Sequence, residues 1–433
     1  MPAIHHSVGA LLLALTASTV CGSPAPQQSA GAPPAQQMTD DDLASWVLDA
    51  NPGLAALRAA AEAAAFRIDP AGSLDDPMLS YGVAPLTAGA DRSLNQKFDI
   101  SQKIPWPGTL AAREDAARYD ALVAERDVDA LRLQVVARAK SAHAEWQFIA
   151  AAMDTHHDTR SLLDELIATA GSRYAAGRAL KQDVLQAELE RANLDNHLLR
   201  LVRQRTAIQA GINALLNRDP DAPLPAASPE LLLPPPPVLE TLQTLALARH
   251  PELSRLNASI SASESRITLA EKAFYPDFQV GVGYNSLWDP VDKRPVLGLS
   301  INIPWDRSKR RSDLDRARAE KRRTSFSLSN RRAELLAALA TARAEVIEAR
   351  NTVRLFEDKL VPLAAEYLEA AIADYQSGAG AFVNVITAEQ RKLATDLDLA
   401  RARADYVKGM AELELWTGGP PEASSPTAAG ATE

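Results

Sequence analysis

The sequence predicts a mostly α-helical protein with a small β contribution, built from a duplicated unit of helix, β-hairpin, long helix and return helix. Three observations carry this: a repeat with a period of about 200 residues, a strand hairpin in each copy, and a proline-free run from Thr109 to Gly171.

The repeat shows in four ordered anchors. Asn51-Pro52-Gly53-Leu54 matches His250-Pro251-Glu252-Leu253, and Pro77, Leu79, Gly82 and Val83 match Pro276, Phe278, Gly281 and Val282. Ile104-Pro105-Trp106 matches Ile303-Pro304-Trp305, at the same offset of 199 residues. Tyr174 to Gly177, then Asp183-Val184-Leu185, matches Tyr375 to Gly378, then Asn384-Val385-Ile386, at an offset of 201. One match arises by chance, but four in order mark duplication of a whole structural unit. The first repeat is therefore 39–216 with a hairpin at about 77–105, and the second is 239–416 with a hairpin at about 276–304. Residues 217–238 are rich in proline, which cannot continue a helix, and are expected to be an extended linker. Residues 417–433 are expected to form a disordered tail.

Within each repeat the periodicity changes twice. Thr39-Asp40-Asp41-Asp42 gives an acidic first helical turn, and the Ala- and Leu-rich helix that follows is interrupted near Pro52. The hairpins then alternate: Phe278, Val280, Val282 and Tyr284 share one face, as do Leu297, Leu299, Ile301 and Ile303. Their length, roughly nine to eleven residues, suits a tilted membrane-crossing strand. The run from Thr109 to Gly171 would extend about 95 Å as a helix, far more than a globular domain needs. Leu328, Leu335, Leu339, Val346, Val353, Phe356 and Leu360 are spaced as one coiled-coil seam, and Leu194, Leu198, Leu201, Ile208, Ile212 and Leu215 as another. Gly177 and Gly378 suit the distant helix-to-helix turns, predicted at 172–181 and 376–382.

Four strands cannot close a membrane barrel, since open sheet edges are not left in lipid. Several copies are therefore required, and the long helices beneath such a barrel would pack as a ring around a passage. No run of 18 apolar residues follows the N-terminal region, so insertion would be by β-barrel. Residues 1–25 read as a secretory signal peptide with an apolar run at 9–20, and residues 26–38 as a flexible segment. The lone cysteine, Cys21, is either removed by cleavage after Gly22 or Ala25 or is a lipidation site.

The duplicated halves, the hairpins ending in Ile-Pro, and the Tyr-x-x-Gly turn preceding a Val-Leu-x-Ala-Glu helix start resemble the TolC-like outer-membrane factor family across about 39–416. Residues 102–113, QKIPWPGTLAAR, are most similar to the outer-membrane components of heavy-metal efflux systems of the cobalt-zinc-cadmium or copper-silver type. The resemblance implies a homotrimer with a 12-strand barrel in a Gram-negative outer membrane and an α-helical periplasmic tunnel. It also implies a periplasmic adaptor and an inner-membrane proton-driven pump of the RND type as partners. The pore constriction would then fall at Asp183, Gln186, Asn384 and Thr387, of which only Asp183 is acidic. Adaptor docking would fall at the turns bearing Tyr174, Gly177, Tyr375 and Gly378. Pro105, Trp106, Pro304 and Trp305 mark the strand-to-helix junctions, where the tryptophans suit either an interfacial belt or packing. Asp183 also suits a helix N-terminal cap.

The remaining chemistry is sparse. A formal net charge of -9 with interspersed signs lacks the footprint of a nucleic-acid binder. No phosphate-binding loop, zinc-protease motif or cysteine cluster is present, so no enzyme and no cofactor are expected. His143 and the His156-His157 pair are expected to be solvated on a helix surface, because adjacent residues point about 100° apart. The basic run Arg307 to Arg311 is expected at a solvated helix start. The competing reading is a periplasmic coiled-coil adaptor or scaffold without a pore.

Overall fold

The computed structural model describes residues 37–84, 95–228, 233–286, 291 and 294–420. The expected signal peptide, Cys21 and most of the flexible segment and tail lie outside the described residues, as do residues 229–232 of the linker and both hairpin tips. The first repeat supplies α1 (Asp40–Ala50), α2 (Pro52–Ala65), α3 (Ile68–Gly72), β1 (Met78–Ala84), β2 (Asn95–Ile104), α4 (Thr109–Ala175) and α5 (Lys181–Leu215). The second supplies α6 (Leu239–Arg249), α7 (Pro251–Lys272), β3 (Asp277–Asn285), β4 (Pro295–Asn302), α8 (Arg307–Leu355), a π-helical turn at Phe356–Leu360, α9 (Val361–Ser377) and α10 (Phe382–Thr417).

Local chemistry sets the helix ends. The Thr39 hydroxyl accepts from the Asp42 N–H at 3.1 Å while the Asp42 carboxylate accepts from the Thr39 N–H, a capping box that opens α1. Asn51 caps α2 and Pro52 takes its first position, where no N–H is needed. At 67 residues, α4 runs about 100 Å. Its second-repeat counterpart is interrupted by the π turn immediately before Pro362, whose ring and missing N–H disturb the ladder. This turn corrects the expected seam. Leu328, Leu335, Leu339, Val346 and Val353 are buried, but the altered period carries Leu360 to the surface and leaves Phe356 only half-buried.

Two pseudo-equivalent cores form, one in each repeat. Leu43, Val47, Val135, Ala139 and Ile212 pack in the first repeat, and Leu242, Ala246, Leu335, Leu339 and Leu413 in the second. Glu145 on α4 joins them by pairing with Lys408 and, at 2.8 Å, with Arg401 on α10. Gly409 on α10 allows close helix approach, since a Cβ there would lie 3.0 Å from Val346.

Met38, counted with the flexible segment, differs from expectation: it is fully buried and forms a parallel bridge to Ala227. The described part of the linker contains no helix and is hydrogen-bonded to the helices beside it. Trp146 donates to the Pro225 carbonyl at 3.1 Å, Arg343 to Pro237 at 2.9 Å and Tyr406 to Pro234 at 2.6 Å. Prolines cannot donate, but their carbonyls accept, so a proline-rich strand is a good partner for side-chain donors.

Candidate functional site

The four strands form one antiparallel sheet in the order β1-β2-β3-β4. Its register sorts the side chains. Leu79, Tyr81, Phe98 and Ile100 lie on one face in line with Val280, Val282, Tyr284, Leu297, Leu299 and Ile301. The opposite face carries Ser80, Lys97, Asp99, Ser101, Gln279, Gly281, Gly283, Gly298 and Ser300. On the polar face Gln279 donates to the Ser101 hydroxyl at 2.9 Å, and Lys103 pairs with Asp277 at 3.2 Å. Among the described residues nothing covers the apolar face, with Leu297 79 % exposed and Ile100, Val282 and Leu299 also exposed. A contiguous apolar surface of this kind marks a lipid or protein contact. Among the described residues, β1 and β4 each pair on one side only.

The strand-to-helix junctions are unequal. Trp106 stacks on Tyr275 at 4.7 Å and Phe278 at 6.0 Å, and Pro105 is buried. Trp305 is 86 % exposed and Pro304 half-buried.

At the far end of α4 the two helix-to-helix turns meet. Gly177 and Gly378 both have left-handed backbones, φ +68 and +84, which glycine adopts without the cost a Cβ adds. The Ala379 N–H donates to the Asp374 carbonyl at 2.9 Å and Gly378 to Tyr375, closing α9 as a Schellman turn. Tyr375 is buried edge-on against Phe382 at 5.0 Å, whereas its repeat equivalent Tyr174 is exposed. Asp183 stands in the first turn of α5 without making a side-chain cap, so the capping role is not observed. Burial and the neighbouring Asp183 carboxylate push the Tyr375 hydroxyl above its usual range. The fold thus brings Asp183 to Tyr375, with Asp183 and Gln186 half-buried and Asn384 and Thr387 exposed on α10. The Thr387 hydroxyl donates to the Val383 carbonyl at 2.8 Å.

One residue near this end is not distinguished by sequence from its repeat equivalent, Glu188. Glu389 is 2 % exposed, and neither carboxylate oxygen has a hydrogen-bond partner among the described residues. It lines a 140 Å³ cavity with Asp158, Lys392 and Asp396. Burial, and then Glu190, raise its pKa to about 7 against the opposing pull of Lys392.

His157 is exposed as expected, but His143 and His156 are not. His143 is buried and donates to the Met38 carbonyl at 2.8 Å; His156 is buried and donates to Ala152 at 2.7 Å. Helix surfaces that face other helices are not solvated, and a ring N–H finds a carbonyl there. Among the described residues no group of three or more His, Cys, Asp or Glu side chains is placed to hold a metal. No described helix is long and apolar enough to cross a membrane.

The duplicated helix–hairpin subunit with an uncovered sheet is the fold of the outer-membrane channels. The chain superposes on the outer-membrane channel OprN with a TM-score of 0.76 and 16 % identity, covering 88 % of this chain and 90 % of that one. For the outer membrane protein VceC of Vibrio cholerae the values are 0.75 and 19 %, covering 88 % and 96 %. For CusC, described in terms of transmembrane channel formation, they are 0.75 and 17 %, covering 88 % and 92 %. Residues 242–419, most of the second repeat, match the family model of outer membrane efflux proteins. No curated protein sequence shows significant similarity to the chain.

Proposed function

We propose that three copies of this chain close their sheets into one 12-strand barrel in an outer membrane, and that the long helices continue below it as a periplasmic tunnel for solute efflux. The observation that carries this reading is the sheet itself, apolar and uncovered on one face, polar on the other, with two open edges. In lipid such edges must be paired, and one chain supplies too few strands to pair them internally. The chain is then a passive conduit whose energy comes from partners, a periplasmic adaptor and an inner-membrane pump of the RND type.

In this reading the turns bearing Tyr174, Gly177, Tyr375 and Gly378 receive the adaptor. Asp183, Gln186, Asn384 and Thr387 line the constriction, where three copies of Asp183 favour cations. Export of heavy-metal cations is the narrower proposal, supported by the similarity of residues 102–113. The test is the detergent-corrected mass of the extracted protein together with its single-channel conductance. A conducting trimer is expected, with cation selectivity reduced in Asp183→Asn. A detergent-independent soluble monomer contradicts it.

A further inference from the structure

The second strand-to-helix junction differs from the first in a way that packing within the chain does not explain. At the offset that aligns Pro105-Trp106 with Pro304-Trp305, the first repeat continues Pro107-Gly108-Thr109-Leu110-Ala111-Ala112, and the second continues Asp306-Arg307-Ser308-Lys309-Arg310-Arg311. Four cations thus stand where the first repeat has Gly, Leu and two Ala.

Their position is electrostatically unfavourable on its own. They occupy the first five residues of α8, where the helix dipole disfavours positive charge. The one acid in the segment, Asp306, is committed to the cap, its carboxylate accepting from the Lys309 N–H at 3.0 Å. Asp313 and Asp315 pair further along, with Arg316 and Arg318. None of the four cations has an ion-pair partner among the described residues, and Arg307, Lys309 and Arg311 are exposed. They follow directly on the apolar strand face, through Ile303 and Trp305, both exposed. Trp106, by contrast, is covered by Tyr275 and Phe278.

An exposed tryptophan between an apolar face and an unpaired cationic cluster is the arrangement that seats at a headgroup layer. The indole takes the boundary and the cations take phosphate. We infer that Trp305 with Arg307, Lys309, Arg310 and Arg311 forms a binding surface for anionic glycerophospholipid headgroups in the periplasm-facing leaflet, once per chain and only at the second junction. This rests on the membrane placement of the sheet proposed above. It makes the second hairpin the anchored one, with the first held by aromatic packing.

The test uses the full-length protein reconstituted in vesicles of phosphatidylethanolamine with a minor fraction of phosphatidylglycerol. Lipid retained after mild detergent extraction is measured by native mass spectrometry. Wild type should retain phosphatidylglycerol enriched about tenfold over its bulk fraction, with the enrichment falling as salt rises. The variant R307Q/K309Q/R310Q/R311Q should insert normally and lose that enrichment. A control, R322Q/R323Q/R332Q, changes cations at least about 16 Å further along the same helix and should keep it. Equal enrichment in wild type and the quadruple variant overturns the inference, as does loss of oligomer without loss of lipid, which would assign the cations to a second copy. Failure of the wild type to insert at all removes the membrane placement itself, a result distinguishable from loss of selectivity in an inserted protein.

Discussion

Arg173 at the end of α4 lies 4.8 Å above the Tyr375 ring at the end of α9 and donates to the Gln376 carbonyl at 2.8 Å. This single side chain ties the turn of the first repeat to that of the second. Arg173→Ala is expected to remove a cation–π contact and a charge-assisted hydrogen bond, together about 1–3 kcal/mol at this contact. Limited proteolysis should then cut faster at 172–181, and single-channel records should show more frequent opening. Unchanged protease resistance would show that the turns are held by other contacts.

Glu389 gives a pH dependence with a defined sign. Its folded pKa is raised from 4.5 to about 7, so between these values the folded state holds a proton that the unfolded chain has released. Stability from this group is full below about pH 4.5, falls as pH rises, and levels off above about 7. The total is on the order of 3 kcal/mol. Glu389→Gln should flatten that slope and raise the melting temperature at pH 8 while leaving pH 4.5 nearly unchanged. A wild-type slope retained in the variant would place the titrating group elsewhere.

The two faces of the sheet should respond oppositely to charge. Leu299→Lys sits on the apolar face and is expected to cost about 2–4 kcal/mol of insertion if near mid-bilayer, seen as loss of folded oligomer in detergent extracts. Ser300→Lys, one residue on and facing the other way, should assemble normally and lower cation conductance. Similar behaviour of the two would mean that the faces are not sorted between lipid and lumen.

Gly378 has φ +84, and Gly177 φ +68. Alanine at either should cost about 1–2 kcal/mol from the left-handed backbone alone, because an added Cβ meets little else there. Chemical denaturation of each variant checks this, and Gly211→Ala, in the interior of α5, should be neutral or stabilising.

The hairpins, the long helices and the far turns are legible in the sequence because each rests on local periodicity repeated at a fixed offset. Leu335 and Leu339 are buried as their spacing requires. What is not legible depends on contacts between distant segments. The Met38–Ala227 bridge joins residues far apart in sequence with no pattern in either, and His143 is buried by that same bridge. The π turn at Phe356–Leu360 follows from Pro362, but the seam spacing alone continues straight through it. Glu389 and its equivalent Glu188 read identically as helix-start acids. Only the packing of α10 against α4 and α9 buries one and leaves the other exposed.

The internal duplication also fixes how neighbouring copies should join. β2 pairs with β3 in a register that sets Ser101 opposite Gly281 and Lys103 opposite Gln279. Carrying β2 forward by 199 residues and β3 back by the same step places Ser300 of β4 opposite Gly82 of β1 in the next copy, and Asn302 opposite Ser80. The most direct test of the account is therefore oxidation of Ser80→Cys/Asn302→Cys in a Cys21→Ser background, read on denaturing gels. Within one chain these edges are separated by three strand spacings, about 14 Å, too far for a disulfide. The account predicts covalent dimers and trimers, with the trimer as the upper limit and neither single cysteine forming more than dimer. Only monomer after oxidation, in a folded and membrane-inserted protein, would contradict closure of the barrel by β4 of one copy on β1 of the next.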